Sequence, residues 1–449
     1  MIDAARWTRR LALGVPIGVA LGAAALALAL ATSGVFDRRP GAWTVPLRPL
    51  PGVSIEANVA GVLRLATSPL GLRVLDGQRR PTRIGLLAFT REHDTLVVRC
   101  APCRVNHPRL ASRTVALPAV ELRAARRTGI ESNRLVDLRV VTGALQMTAV
   151  ATLAPTGITL AWSLPSAALA DAYRVLADAV PEARLARIEG RVQASGQLAL
   201  PALRATSSLR IDGFEVGGLG TERLQHGWFA FGCRAADGTP RTVTSGEGET
   251  GWLDAAALGP LLLAAVRAAE DQRFFQHAGY DPVEIGHALA DVDFDLGDAT
   301  ANAAADAPDA GPPTAVRAQA AAATTPAQAE HPPPPPLRGA STITQQLART
   351  LHTGGERSIA RKLRELLYAV EMERTLGKDR ILLLYLNTVD WGPGLCGARA
   401  AARTYFRKPP ARLTPLEAAW LAGILRGPHT AHARQFRGGQ PDGERARRV

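Results

Sequence analysis

Two glutamates and a run of basic side chains are the groups in this 449-residue chain best suited to chemistry. Glu270 opens the stretch Glu270-Asp-Gln-Arg-Phe-Phe-Gln-His-Ala-Gly-Tyr-Asp281 at the end of an apolar helical pattern. An apolar helix face desolvates a carboxylate and favours its taking up a proton, so Glu270 is the candidate general base. Asp271, Phe275 and His277 in the same stretch are candidate substrate contacts. Glu365 closes the second block, Arg361-Lys-Leu-Arg-Glu365. If residues 357–368 form one helix, Arg357, Arg361 and Arg364 recur at spacings of four and three. They then make a basic stripe with Lys362 beside it and Glu365 at its edge. Stacked guanidinium groups suit a pyrophosphate, whose charge is present at neutral pH and needs neutralising more than protonating. Ser341, Thr342, Gln345 and Gln346 add hydroxyls and amides where a helix begins and free backbone N–H groups favour an anion, with Arg349 just beyond. Plainer readings exist for both glutamates: an i,i+3 pair of Glu270 with Arg267, and an i,i+4 pair of Arg361 with Glu365 on a solvated face.

The elements that must position these groups are mostly helical. Residues 258–273 carry Leu261, Leu262, Ala265, Val266 and Ala269 on one face of a predicted helix. Helical pattern resumes at Ser341 and continues in segments to Leu425, punctuated by Gly377, Gly392 and Gly394. Between them, residues 291–336 are rich in Ala, Pro and Asp and end in five prolines, which predicts a flexible insertion. Residues 38–241 alternate apolar and polar side chains, as in Thr95-Leu-Val-Val-Arg99, and predict a β-rich domain that serves as a spacer or docking module. One helical interruption is expected over Ser166–Ala179. Residues 11–31 are uncharged and follow Arg6, Arg9 and Arg10, as a single membrane span does with a basic cytoplasmic tail at 1–10. A cleaved signal peptide is the alternative. The expected class is therefore an α+β multidomain chain: an N-terminal transmembrane helix, a β-rich domain, and a mostly α-helical domain over residues 254–449.

Composition narrows the partners. The formal charge is +13, and residues 338–449 hold 20 Lys and Arg against 9 Asp and Glu, so an excess of 11 sits in the last quarter. That quarter should meet something anionic. With 5% aromatic residues and no groove-reading motif, nucleic acid is not the expected partner, and a phosphate-bearing lipid fits better. Cys100-Ala-Pro-Cys103 lacks the second pair of a zinc site and is read as a local disulfide or two unpaired thiols, while Cys233 and Cys396 have no evident partner in the sequence.

Five blocks in order, the two above with Arg338-Gly-Ala-Ser-Thr-Ile-Thr-Gln-Gln-Leu-Ala-Arg349, Ile381-Leu-Leu-Leu-Tyr-Leu-Asn387 with Trp391-Gly-Pro-Gly-Leu-Cys-Gly397, and Tyr405-Phe-Arg-Lys408, resemble glycosyltransferase family 51, the peptidoglycan glycosyltransferases. The likeness is closest to the monofunctional enzymes that polymerise lipid II. It implies a lysozyme-like helical fold and an inverting transfer that extends a β-1,4 glycan on polyprenyl pyrophosphate. It also implies that Glu270 activates the acceptor 4-hydroxyl and that Glu365 assists at the donor pyrophosphate, where a Mg or Mn ion is a further expectation. Ser341, Gln346, Arg349, Arg357 and Arg364 fall at donor-site positions. Lipid II, the growing glycan, and cell-wall synthesis or division proteins are the implied partners, at the periplasmic face of a bacterial inner membrane. Neither Ser-x-x-Lys nor Lys-Thr-Gly occurs, so no transpeptidase activity is expected. Arg407 stands where the family has Gly, so a glycine turn must accept an arginine. A non-catalytic envelope scaffold and a lytic transglycosylase are the competing readings; the basic stripe speaks against the second, because finished glycan carries no pyrophosphate.

Overall fold

The computed structural model describes residues 32–50, 53–108, 110–127, 135–202, 204–281, 341–356, 358–437 and 440–441. The expected membrane span at 11–31, the insertion at 291–336 and Arg357 lie outside these. No helix among the described residues is long and apolar enough to cross a membrane.

The first part of the chain builds a sheet. Hairpin strands β1 (Thr44–Leu50) and β2 (Val53–Asn58) lead into two short helices, α1 (Val59–Ala66) and α2 (Pro69–Leu75). Asn58 and Ser68 start these helices by accepting the Gly61 and Gly71 N–H groups at 3.1 Å. Strands β3 (Arg79–Thr82), β4 (Gly85–Glu92), β5 (Thr95–Val105), β6 (Val115–Leu117), β7 (Val120–Arg126), β8 (Leu135–Thr142), β9 (Leu145–Ala154) and β10 (Gly157–Ala168) follow. After helix α3 (Leu169–Val175) and a 3-10 turn at Pro181–Arg184 come β11 (Arg187–Leu200) and β12 (Arg204–Gly217). The ten strands pair antiparallel in the order β12-β11-β10-β9-β8-β7-β5-β4-β3, with β6 also on β5. Their period of two separates the faces. Leu96, Ala124, Leu138, Ala149 and Trp162 stand in one row across five strands. The opposite face carries pairs such as Arg99–Glu121 at 2.8 Å and Arg123–Glu92 at 2.8 Å. Ala60 of α1 and Leu72 of α2 close part of the apolar face.

The predicted β-rich stretch extends further than residue 241, since hairpin β13 (Trp228–Arg234) and β14 (Pro240–Gly246) completes it. The interruption expected at Ser166–Ala179 is shorter. Strand β10 runs to Ala168 because its bulged pairing with β11 continues through Ala167 and Ala168, and only Leu169–Val175 is helix.

The second part is helical: α4 (Ala255–Leu258), α5 (Pro260–Glu270), α6 (Ile343–Ala348), α7 (Ile359–Thr388), α8 (Ala398–Phe406), α9 (Pro415–Ile424) and α10 (Pro428–Gln435). The single helix predicted for 258–273 is broken at Gly259, whose φ of +78° suits glycine, and it ends at Glu270 itself. Leu262 and Val266 are fully buried, whereas Leu261 is 43% exposed and leaves the predicted apolar face. A π-type turn at Arg349–Thr353 follows α6, and α7 kinks at Gly377, whose φ is +72°. Arg407 takes the left-handed conformation at the end of α8 (φ +56°, ψ +27°), so this turn does hold an arginine where glycine is easier. The core gathers Leu262, Val266, Ile343, Leu347, Met372 and Leu384.

Helix α7 joins the two parts. At about 100° per residue, Leu363, Leu367, Val370, Glu371 and Arg374 share one side, Arg361, Lys362, Glu365 and Met372 the opposite side, and Arg364 lies at the edge of the first. The first side meets the sheet module: Leu367 and Val370 pack with Tyr173, Phe214 and Val216. Glu371 accepts the Leu219 N–H at 2.8 Å, and Arg374 donates to the Val216 carbonyl at 3.3 Å. Both cysteine pairs are bonded. Cys100–Cys103 is the local disulfide, and Cys233–Cys396, which spacing did not suggest, ties β13 to the loop ahead of α8.

Candidate active site

The end of α5 brings Glu270 to α6. One residue later the backbone leaves the helix, and the Asp271 carboxylate turns inward to accept the Ile343 N–H at 3.0 Å. That N–H is among the first of α6, which no helical carbonyl can satisfy. The same carboxylate receives His277 Nε2 at 3.0 Å, while His277 Nδ1 accepts the Gly279 N–H at 3.3 Å, so the ring hydrogen sits on Nε2. Thr342 caps α6 through the Gln345 N–H at 3.2 Å and donates to the Gly279 carbonyl at 2.8 Å. Asp271, His277 and Thr342, all predicted as substrate contacts, are thus buried in the frame that locks α5 to α6. Gln345 is also buried. Phe275 is 55% exposed at the rim, with the Arg267 guanidinium 4.9 Å over its ring.

Gln346 is one turn into α6 and points at Glu270. Its Nε2 donates to Glu270 Oε2 at 2.9 Å, and its Oε1 accepts from the Tyr385 hydroxyl at 2.9 Å. Burial, with the Glu270 charge nearby, pushes the Tyr385 phenol well above its ordinary range and keeps it a donor. That fixes which end of the Gln346 amide faces the carboxylate. Tyr385 is the residue that sequence reasoning missed. Its signal was a hydroxyl inside the buried run Ile381–Leu386.

The second block forms a charged knot. Glu365 is 1% exposed, with Arg361 on one oxygen and Lys362 Nζ 2.9 Å from the other. Lys362 also donates to Ser341 Oγ. Burial first, then the Arg361 and Arg349 charges, bring the Lys362 ammonium down to about 8. The Arg349 charge acts on both Lys362 and Tyr385, so it is within electrostatic reach of the knot and of the Gln346 brace. Ser341, Gln346, Arg349, Arg361, Lys362 and Glu365 are therefore brought to one strip running on from Glu270. Arg364 is not part of it. About 60° around α7 from Arg361, it faces the sheet module, where Glu182 holds its Nε at 2.8 and 2.9 Å.

For a divalent cation the donor set fits poorly. Hard cations need several oxygen ligands, but Glu365 is one carboxylate shared by two cationic side chains. Among the described residues no three His, Cys, Asp or Glu side chains converge.

Residues 316–448 match the family model described as Transglycosylase, a span that starts beyond Glu270 and includes Ser341 to Glu365. A 189-residue stretch is 35% identical to the biosynthetic peptidoglycan transglycosylase of Alcanivorax borkumensis, covering 42% of this chain and 62% of that one. A 92-residue stretch is 51% identical to the protein of the same description from Bordetella pertussis, covering 20% and 38%. Penicillin-binding protein 2D of Bacillus subtilis is 34% identical over 195 residues, 43% of this chain and 23% of that one. The chain thus spans less than two thirds of the length of these relatives. Through its helical C-terminal part, the chain is therefore similar to transglycosylases.

Proposed function

We propose that this chain is a peptidoglycan glycosyltransferase that polymerises lipid II on a lysozyme-like helical domain. The observation that carries this reading is the braced carboxylate of Glu270, set by Gln346 and Tyr385 at one end of a strip whose other end is cationic. Glu270 takes the proton of the acceptor sugar 4-hydroxyl as that oxygen attacks the anomeric carbon of the donor. The bond from this carbon to the pyrophosphate oxygen breaks, and polyprenyl pyrophosphate leaves with the electron pair. Attack opposite the leaving group turns an α-linked donor into a β-1,4 linkage. Arg349, Lys362 and Arg361, with the Ser341 hydroxyl, neutralise the charge gathering on the departing pyrophosphate. Glu365 keeps Arg361 and Lys362 side by side despite their mutual repulsion.

The reading extends to the cell. Residues 11–31 anchor the chain in a bacterial inner membrane with its helical domain on the periplasmic side, where lipid II and the growing strand are found. Cell-wall synthesis or division proteins are its protein partners, and no transpeptidase activity accompanies the transfer. The test is incubation of the detergent-solubilised full chain with labelled lipid II, with Glu270→Gln alongside. A ladder of glycan products that disappears in the variant is expected. A ladder that survives Glu270→Gln removes the base, and lipid II binding without any ladder favours a non-catalytic scaffold.

A further inference from the structure

The sheet module holds a charged side chain beside the site residues of α7. Glu182, in the 3-10 turn before β11, is 5% exposed and spans the guanidinium of Arg364: 2.8 and 2.9 Å to Nε, 2.7 Å to Nη2. Arg364 is adjacent to Glu365, about 100° around α7 from it, and two residues from Lys362, about 160° around. A rotation of this helix that loosened Arg364 would swing both site residues away. The start of α7 is held by the same module. The Ala360 N–H, an orphan of the first helical turn, donates to the Leu110 carbonyl at 3.0 Å. Glu356 accepts the Ser112 N–H at 2.9 Å, and the Tyr173 hydroxyl donates to the Leu363 carbonyl at 3.3 Å.

We infer that Glu182 is a positioning residue for the donor end of the site: by holding Arg364 it sets the rotation of α7 that presents Lys362 and Glu365 to the pyrophosphate. This rests on the transferase reading above. It gives the β-rich module a role in turnover and assigns Arg364 to its support, not to contact with substrate. The hydrogen bonds that Arg364 donates to Glu182 raise the Arg364 pKa further, so its guanidinium stays charged throughout the working range.

A charge swap separates the alternatives. Full-length Glu182→Arg, Arg364→Glu and the double variant are assayed for lipid II polymerisation, with hydrogen exchange of residues 359–366 measured on the same proteins. Each single change is expected to lower kcat by at least about tenfold, with KM little altered, and the swap to recover most of the loss. Exchange over 359–366 should rise in the singles and fall back in the swap. Glu182→Gln, which keeps side-chain volume, stands in if Glu182→Arg does not fold, and should lower kcat in the same sense by a smaller factor. A swap no better than Arg364→Glu alone overturns the inference, because Arg364 itself then touches substrate. So does a Glu182 variant that melts earlier but keeps wild-type kcat, since the pair is then only structural. If the wild type makes no polymer, the transferase reading fails and the exchange data alone judge the coupling: unchanged exchange in both singles overturns it.

Discussion

Replacing Gln346 by Ala removes one hydrogen bond at each end of the same amide, 2.9 Å to the Glu270 carboxylate and 2.9 Å from the Tyr385 hydroxyl. A hydrogen bond to a charged group contributes about 1.5–3 kcal/mol. If the brace acts in the transition state, that corresponds to a fall in kcat of about 10- to 150-fold. Tyr385→Phe deletes only the neutral bond, about 0.5–1.5 kcal/mol, and leaves Gln346 in contact with Glu270. It should cost about 2- to 13-fold. Initial rates of labelled lipid II polymerisation, at several substrate concentrations, separate kcat from KM. The ordering wild type, Tyr385→Phe, Gln346→Ala, Glu270→Gln is expected, with KM nearly constant. A Gln346→Ala variant that keeps kcat within about twofold while Glu270→Gln is inactive would refute the brace. A raised KM with unchanged kcat would instead make Gln346 a substrate contact.

Four further outcomes follow from the geometry. Loop-closure entropy over the 163-residue separation of Cys233 and Cys396 stabilises by about 5 kcal/mol, against about 1.5 for the three-residue separation of Cys100 and Cys103; urea unfolding of the two double Cys→Ser variants should show this order, and equal costs would contradict it. Lys362 titrates near 8, so its charge is present below that pH and lost above it, and inorganic pyrophosphate affinity by calorimetry should fall as pH rises through about 8, with the bound anion moving the midpoint upward. Lys362→Arg should flatten this fall, and an identical profile would count against Lys362 as the group sensed. Asp271→Ala strands the Ile343 and His277 N–H groups in the interior at about 1–3 kcal/mol each; a melting temperature equal to wild type would show that the frame does not depend on it. Arg407→Gly relieves a left-handed residue and should stabilise by up to about 1 kcal/mol, a gain that thermal unfolding reads and whose absence would place the relief in the unfolded chain.

Local chemistry was legible wherever it is encoded in neighbours. Gln346 and Arg349 sit on the strip because they are about one turn apart, on α6 and at the start of the turn that follows it, and the Thr342 cap makes α6 start where the residue types say it should. Asp271, His277 and Thr342 were read as substrate contacts because short polar residues near a catalytic glutamate look alike in sequence whether they face a ligand or a helix terminus. Asp271 meets Ile343 and Thr342 meets Gly279, 72 and 63 positions away, and only those partners distinguish the two uses.

The sequence by itself determined the resemblance to the transglycosylases, the candidate base and the division into a β-rich and a helical part, since block order, the apolar run ahead of Glu270 and the change of period from two to 3.6 are local properties. Tertiary structure alone decided the rest. A stripe of arginines at spacings of four and three is nearly one line on an isolated helix, and it is split only when Glu182, 182 positions away in the chain, takes Arg364 from the side. Tyr385 and the Cys233–Cys396 bond are also long-range, because nothing within a turn of either member requires its partner. Such pairings are set by which faces must be buried together, and that is a property of the packed chain.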